Sequence, residues 1–316
     1  MRLSVSLRSS AGFVRRKKKR TLIIFIMIGP NNPPQRAVIA GHPRMPHSLE
    51  MASELAAYLD SLGMAATQGS LYDENLRDKI LDGKADVLIA LGGDGTMLRA
   101  GHLCAPHRIP ILGINLGGLG FLIEVQRQEW KDALTKLHDG SFWLETRMML
   151  RARHMRAEDV LGTWDVLNEC VIGRGEMVRP VRLTAVLDDH LLTTYVADAL
   201  IVATPTGSTA YALAAGGPIL PPELRNILIV PVAPHLSVDR AIVLHEGSQV
   251  KITVRTDHQA SLSMDGQEPV HLQDQDAVVV HASEDVVHFV RFQEPDYFYR
   301  NLTSRMDQNP SAGGPR

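Results

Sequence analysis

The sequence predicts two domains: an N-terminal α/β domain built on a parallel sheet, and a β-rich, β-sandwich-like C-terminal domain. Its 316 residues, 45% of them hydrophobic, suffice for two cores. Short apolar runs alternate with helical patterns in the first half, and period-2 patterns dominate after about residue 148. We expect the domains to span residues 37–147 and 148–285, with a return segment at 286–303 that packs on the first domain.

The two ends of the chain differ from the rest. Six consecutive basic residues, 15–20, precede an apolar run at residues 21–28. The run falls far below the ~20 residues of a membrane span, and no small-residue cleavage site follows it. We interpret residues 1–36 as a leader that is disordered or precedes the true start; a membrane or nucleic-acid patch is the alternative. We expect residues 304–316 to form a disordered tail.

Overall charge and cysteine content exclude several classes of protein. The net charge is −2 and the pI is about 6.7, so no global positive field favours nucleic acid or a membrane surface as a partner. The two cysteines, Cys104 and Cys170, lack the spacing of a disulfide framework or a zinc site, which suits a reducing cytoplasm. The P-loop and G-x-G-x-x-G patterns are also absent from the sequence.

The first half alternates predicted strands and helices. An apolar strand at residues 37–40 precedes a helix whose apolar residues recur at helical spacing over 48–62. Further buried strands are predicted at 85–91 and 109–115, with a helix over 97–103 between them. This alternation predicts a parallel sheet covered by helices.

A glycine-rich turn, Gly-Gly-Asp-Gly-Thr at residues 92–96, follows the strand at 85–91. Its glycines let backbone N–H groups approach an anion, and the start of the next helix adds positive charge. Asp94 would face phosphate only if a metal ion bridged the two, or if it accepted a proton from an attacking hydroxyl. Phosphoryl transfer is the simplest interpretation; the alternative is a tight turn in which Asp94 caps the helix.

A second glycine cluster, residues 116–121, follows the strand at 109–115. Ligands of open α/β sheets bind at the carboxyl ends of the strands, so the two clusters share the edge where a ligand is expected. Phe121 either offers its ring to a base or anchors the loop in the core.

The second domain begins with a predicted antiparallel hairpin. Apolar and polar residues alternate over 181–187, Asp188-Asp189 forms a turn, and a second strand returns over 191–195. Similar patterns recur over 252–254, 262–264 and 277–280.

Two polar segments of the second domain are candidate ligand contacts. Asn168-Glu169 offers donors and acceptors that suit a ribose or an adenine edge, although such pairs are usually solvated turns. Residues 204–209 place four hydroxyl side chains and a glycine between an apolar strand and a helix, and Gly-Gly-Pro follows at 216–218. This concentration of hydroxyl groups favours a polar ligand. The alternative is a Ser/Thr helix cap with Tyr211 in the core.

These four segments, in this order and at these spacings, strongly resemble the NAD kinase family. Diacylglycerol-type lipid kinases and 6-phosphofructokinases also carry a Gly-Gly-Asp-Gly turn, so residues 92–96 alone are not specific. The Thr-Pro-Thr-Gly-Ser-Thr-Ala-Tyr segment at 204–211 is highly specific. The resemblance covers roughly residues 37–303.

The resemblance implies ATP-dependent phosphorylation of the 2′-hydroxyl of the adenosine ribose of NAD to give NADP. It implies that Asp94 is the general base or orients that hydroxyl, that Asn168 and Glu169 hold the adenosine half, and that Asp198 meets the nicotinamide end. Phosphate would be held by Gly92, Gly93, Gly95 and Thr96. The residues implied to bind NAD are Asp94, Gly95, Arg99, Phe121, Asn168, Glu169, Arg179, Asp198, Thr206, Thr209, Ala210, Tyr211, Ala212, Leu213, Ala214 and Gln267.

The resemblance also implies Mg²⁺ or another divalent metal, ATP as the donor, and a homodimer or homotetramer in which a neighbouring subunit completes the site. No residue of the sequence is assigned as a metal ligand. Two alternatives stay open: a nonenzymatic NAD(H)-binding sensor, which would not need Asp94 as a base, and a lipid kinase, which the hydroxyl-rich segment disfavours. The sequence leaves the choice between ATP and polyphosphate as donor open.

Overall fold

The computed structural model describes residues 33–42, 45–117, 120–177, 179–235, 238–300 and residue 302. The predicted leader and tail lie outside these residues, apart from positions 33–36. Among the described helices, none combines the length and the apolar composition that a membrane span requires.

The α/β domain contains four helices and the first five strands of the described chain. Its strands are β1 (Arg36–Gly41), β2 (Ala65–Ser70), β3 (Val87–Gly92), β4 (Ile111–Asn115) and β5 (Val125–Gln126). Its helices are α1 (Pro46–Ser61), α2 (Glu74–Leu81), α3 (Asp94–Cys104) and α4 (Trp130–His138).

The remaining strands build the β-rich part of the chain. They are β6 (Trp143–Arg156), β7 (Asp159–Val166), β8 (Glu169–Arg174), β9 (Val181–Leu187), β10 (His190–Ala197), β11 (Ala199–Ala203), β12 (Asn226–Val232), β13 (Ile242–His245), β14 (Val250–Arg255), β15 (Ala260–Met264), β16 (Val270–Leu272) and β17 (Ala277–Arg291). A short helix, α5 (Tyr211–Ala214), follows β11.

The predicted parallel sheet is confirmed. Strands β2, β1, β3 and β4 lie side by side in that order, and each pair is parallel. Apolar residues of α2 and α3 cover one face, and those of α1 and α4 cover the other. The buried run of β3 is apolar on both faces for this reason, and its last residue delivers the chain to the glycine-rich turn.

The β-rich part forms a sandwich. Its first layer, β10-β9-β14-β17 with β6 and β7, continues the sheet of the α/β domain; its second layer is the antiparallel sheet β13-β12-β11-β8-β15-β16. One hydrophobic cluster contains buried residues of both layers, so the two sheets pack face to face. The predicted hairpin is β9–β10, and Asp188 and Asp189 have φ of 47° and 66°, as a tight hairpin turn requires.

Two long strands cross the expected domain limits. Strand β6 runs through the predicted limit at 147/148, and β17 runs through the one at 285/286 with a register shift between Ala282 and Val286. Phe289 of β17 pairs in parallel with Ile111 of β4. The return of the chain to the first domain is thus the continuation of a sandwich strand, so the two domains are joined covalently and by hydrogen bonds within one sheet.

Candidate active site

Asp94 links the two glycine-rich loops of the α/β domain. Gly93 is the N-cap of α3 and Asp94 is its first residue, so Asp94 does not cap its own helix. Phe121 N–H donates to Asp94 Oδ2 over 2.7 Å, and Leu122 N–H donates to Oδ1 over 3.1 Å. Both carboxylate oxygens are therefore fixed on the second loop, and each keeps a further lone pair.

Glycine is required at two positions around this carboxylate. A Cβ on Gly92 would lie 2.2 Å from Thr96 Oγ1, and one on Gly120 would lie 2.1 Å from Asp94 Oδ1. At Gly93 and Gly95 a Cβ would meet no described atom within 4 Å. These two glycines therefore leave their backbone open to an approaching ligand at the start of α3.

Two clefts flank the turn. The first, of about 390 Å³, is lined by Gly93, Gly95 and Thr96, and by Arg99, whose guanidinium lies 4.3 Å from the centre of the Tyr72 ring. The second, of about 990 Å³, extends from Gly95 and Arg99 to Gln267. The two clefts share Gly95 and Arg99, so these predicted residues of both domains line adjoining space.

Asn168 and Glu169 lie at the start of β8, beneath the turn that follows β11. Thr204 N–H donates to Asn168 O over 2.9 Å. A Cβ on Gly207 would lie 2.2 Å from the same carbonyl oxygen, so the turn packs closely on the segment at 167–169. The structure therefore joins the two polar segments of the second domain.

The hydroxyl groups of this turn are bonded within the protein. Ser208 Oγ donates to Pro205 O over 2.6 Å, Thr209 Oγ1 donates to Thr206 O over 3.2 Å, and Thr206 Oγ1 accepts from Arg147 Nη1 over 3.1 Å. All three hydroxyl residues are buried. These bonds lie within the turn and to Arg147, and no described side chain forms a hydrogen bond that caps the short helical turn at 207–209 or α5. Satisfying buried hydroxyls stabilises the turn.

The short helix α5 carries the other predicted residues of this segment. Tyr211 is 43% exposed, which excludes the alternative that its ring lies in the core. Ala214 is exposed, and Ala210 and Leu213 are half-buried. Ala212 is fully buried.

Glu169 is a buried carboxyl group with an unsatisfied oxygen. The residue is 7% exposed, and within the described chain its Oε2 has no hydrogen-bond partner. Burial and then the negative charge of Asp265 raise the pKa of Glu169 to about 8, against the effect of a hydrogen bond from the Tyr211 backbone. Near neutral pH this carboxyl carries a proton, so it can donate as well as accept.

Sequence reasoning missed Asp265, which organises the second domain's part of the site. Its side chain is 1% exposed and accepts from the backbone N–H groups of residues 167–169 at 2.8, 2.7 and 3.0 Å. His102 Nε2 of α3 lies 2.6 Å from Asp265 Oδ2, and Gln267 Nε2 lies 3.1 Å from His102 Nδ1. The local sequence, Asp265-Gly266, signals only a turn. Both residues have positive φ in the structure.

Asp198 and Arg179 are not brought to this site within one chain. Ala203 pairs with Glu169 at one end of β11, and Ala199 pairs with Gly173 at the other. Asp198 therefore lies about 16 Å of strand from the turn. Its Oδ1 lies 3.5 Å from Arg174 Nε, and Arg179 is exposed just before β9.

A carboxylate fixed beside an open, glycine-rich helix start defines the class as a phosphotransferase. The sequence model of the ATP-NAD kinase N-terminal domain matches residues 48–142, and that of the ATP-NAD kinase C-terminal domain matches residues 167–292. The NAD kinase of Chloroflexus aurantiacus is 41% identical over 273 residues, which cover 86% of this chain and 98% of that protein. The chain belongs to the NAD kinase family.

Further relatives agree with this assignment. The NAD kinase of Moorella thermoacetica is 37% identical over 295 residues, covering 88% of this chain and 94% of that protein. A crystal structure of an NAD kinase from Archaeoglobus fulgidus in complex with ATP matches with a TM-score of 0.68 and 25% identity, covering 85% of this chain and 98% of that one. Yeast NADH kinase complexed with NADH shares the fold, with a TM-score of 0.76, 24% identity, and coverage of 86% and 87%.

Proposed function

We propose that this enzyme phosphorylates the 2′-hydroxyl of the adenosine ribose of NAD with ATP, and that Asp94 is the general base. The observation that carries the proposal is the double hydrogen bond from the second glycine loop to Asp94. It fixes a carboxylate next to the open start of α3, where phosphate oxygens find backbone N–H groups. The names of the relatives support NAD as the acceptor. The ATP complex of the Archaeoglobus enzyme supports ATP as the donor.

In the proposed reaction, Asp94 accepts the proton of the ribose hydroxyl as the hydroxyl oxygen attacks the γ-phosphorus of ATP. The new bond joins that oxygen to phosphorus, the bond to the β-phosphate oxygen breaks, and ADP leaves. The two backbone donors hold the carboxylate in place during the transfer, which limits the reorganisation that the reaction requires. Gly92, Gly93, Gly95 and Thr96 form the phosphate-binding turn, and Arg99 adds positive charge beside it.

We propose that Mg²⁺ or another divalent metal takes part as a complex with the donor. Among the described residues, no group of three or more His, Cys, Asp or Glu side chains could hold a metal ion. Mg²⁺ takes most of its ligands from phosphate and water in many phosphotransferases, so the proposal assigns no residue of the chain as its ligand. The ion would supply charge neutralisation at the phosphates.

We assign Asn168 and Glu169 to the adenosine half of NAD, with Phe121, Gln267 and α5 lining the rest of the site. The protonated carboxyl of Glu169 and its unsatisfied Oε2 support this assignment, because a ligand group would complete the hydrogen bonding of a buried polar atom.

We further propose a homodimer or homotetramer in which Asp198 and Arg179 of a neighbouring subunit meet the nicotinamide end. Asp198 lies at the opposite end of β11 from Glu169, and Arg179 lies two residues before Val181, which pairs with Ala197; these positions support the idea. Mixed oligomers test the idea. Inactive Asp94→Asn and Asp198→Ala subunits should regain activity when mixed, because some sites then receive both intact side chains; no recovery in confirmed mixed oligomers contradicts it. The two buried free thiols support a cytoplasmic location.

The direct test incubates the protein with NAD, ATP and Mg²⁺ and measures NADP by chromatography. Asp94→Asn should lower kcat at least ~10²-fold, the scale of a positioned base. Asp73→Asn is the matched control, because Asp73 accepts one backbone N–H at the start of α2, and Asn serves equally well there. Binding of NAD without NADP formation would favour the sensor, and phosphorylation of diacylglycerol alone would favour the lipid kinase. Inorganic polyphosphate in place of ATP tests the donor.

A further inference from the structure

A group of buried charged side chains lies between the two halves of the site. We define the arginine cluster as Glu145, Arg147, Arg291 and Tyr297, which are between 1% and 5% exposed. Arg147 Nη2 donates to both oxygens of Glu145, at 3.0 and 2.9 Å, and Arg291 Nε donates to Oε2 over 2.7 Å. Tyr297 Oη donates to the same carboxylate at 3.2 and 3.1 Å. One carboxylate therefore fixes two guanidinium groups.

The cluster consists of residues that the strand register places together. Glu145 and Arg147 share one face of β6, and their partners on β17 are Phe289 and Val287. Arg291 is the last residue of β17 and lies on the same face as Phe289. Burial acts to raise the pKa of Glu145, but attraction to Arg147 and Arg291 prevails and lowers it to about 2. The carboxylate is therefore ionised at all working pH values.

Each arginine also donates a hydrogen bond to one half of the site. Arg291 Nη1 donates to Leu122 O over 2.9 Å, and the N–H of the same Leu122 holds Asp94 Oδ1. Arg147 Nη1 donates to Thr206 Oγ1, in the turn that packs on Asn168. The path from Asp94 to the turn at 204–209 thus runs through Leu122, the two arginines and their shared carboxylate.

Stability alone is a weak reason for such a cluster. Ionised side chains lose hydration on burial, and replacing a buried ion pair with apolar residues of similar volume is often neutral or stabilising. A planar guanidinium, in contrast, holds its donors in fixed directions, so each arginine bonds Glu145 and a second partner at a set angle. We propose that Arg291 and Arg147 are positioning residues, which hold Asp94 and the Thr206 turn in a fixed relation across the site. This inference rests on the proposed function of Asp94.

Variants of the cluster test this role against a purely structural one. Arg291→Gln should lower kcat for NADP formation at least about tenfold, because a displacement of about 1 Å costs up to 10²-fold. Arg147→Met should mainly raise the KM for NAD. The matched control is His154→Gln, which alters a buried hydrogen bond of 2.8 Å to Asp276 seven residues further along β6 and should leave kcat and KM unchanged.

A second measurement does not depend on activity. In Arg291→Gln, the backbone N–H groups of Phe121 and Leu122 should exchange with deuterium at least tenfold faster than in the wild type, whereas His154→Gln should leave them protected. If Arg291→Gln fails to fold, Arg291→Lys replaces it, since lysine keeps the charge but cannot bridge Glu145 and Leu122 with a rigid fork.

The outcomes separate the two proposals. No NADP from the wild type refutes the proposed function, and the exchange rates then decide the positioning role alone. Wild-type activity with unchanged kcat and exchange in the Arg291 variant overturns the inference. Equal losses of kcat in the Arg291 and His154 variants also overturn it, since they would indicate general destabilisation.

Discussion

Replacing Gly120 with alanine is the sharpest perturbation of the Asp94 geometry, because it changes neither the carboxylate nor its hydrogen-bond donors. The new Cβ would lie 2.1 Å from Asp94 Oδ1, 2.4 Å from Cγ and 2.6 Å from Oδ2. Real Cβ contacts are essentially never shorter than 3.0 Å, so the carboxylate and the loop must separate by about 1 Å. That separation breaks or lengthens the hydrogen bonds from Phe121 and Leu122.

A displacement of about 1 Å at a catalytic group predicts a loss of about 10- to 100-fold in kcat, or about 1.4 to 2.7 kcal/mol in activation free energy. The KM for NAD should change less, since most of the proposed NAD contacts lie elsewhere. The assay is NADP formation at saturating NAD and ATP, corrected for the folded fraction by circular dichroism.

Gly117→Ala provides the control in the same loop. A Cβ there would meet no described atom within 4 Å, so its kcat should stay within twofold of the wild type. An unchanged kcat in folded Gly120→Ala would refute the reasoning, and so would an equal loss in Gly117→Ala. Either result would mean that the double hydrogen bond does not position the reacting carboxylate.

Three further predictions concern the second domain. Glu169 has a pKa raised to about 8, so its contribution to stability is complete below about pH 4.5 and is lost as the pH rises through 8. Glu169→Gln should therefore melt at a higher temperature than the wild type at pH 9 but not at pH 4.5; equal shifts at both pH values would contradict this. Gly207→Ala should lower the free energy of unfolding by about 1 to 3 kcal/mol and raise the KM for NAD, since its Cβ would lie 2.2 Å from Asn168 O; unchanged stability and KM would refute the close packing. Asp265→Ala should cost about 3 to 5 kcal/mol in urea unfolding, because three backbone N–H groups lose their acceptor. The exposed Asp274→Ala, which removes one backbone and one side-chain hydrogen bond, should cost below about 1 kcal/mol; equal losses would argue against the role of Asp265.

The features that sequence predicted well are those that depend on a few consecutive residues. The apolar run before Gly92 is long enough for a buried strand, and the following glycines favour a turn. The strand, the turn and the helix after it could therefore be predicted from the local sequence. The hairpin at Asp188-Asp189 is equally local, since Asp tolerates the positive φ that its turn requires.

Features that depend on contacts between distant residues could not be read in this way. His102 and Asp265 are 163 residues apart, and nothing near either residue indicates that they pair. The hydroxyls of residues 204–209 suggested ligand contacts, and the sequence did not show that within the chain they bond backbone groups and Arg147. The sequence does not distinguish a serine or threonine that contacts a ligand from one that bonds the backbone of its own turn. Only the fold determines which acceptor is nearest.

The position of Asp94 relative to the second domain is fixed by a continuous strand and by side-chain contacts between the domains. Strand β17 runs from the sandwich into the α/β sheet and ends at Arg291, which holds the loop that holds Asp94. On the other side of the site, His102 of α3 meets Asp265, which holds the start of β8. A rotation of one domain against the other would break a continuous strand or the hydrogen bond of 2.6 Å between His102 and Asp265, and both changes are costly. We therefore expect the site to close around its substrates through movement of exposed loops, with the helix and strand ends that carry Asp94 and Glu169 staying in place.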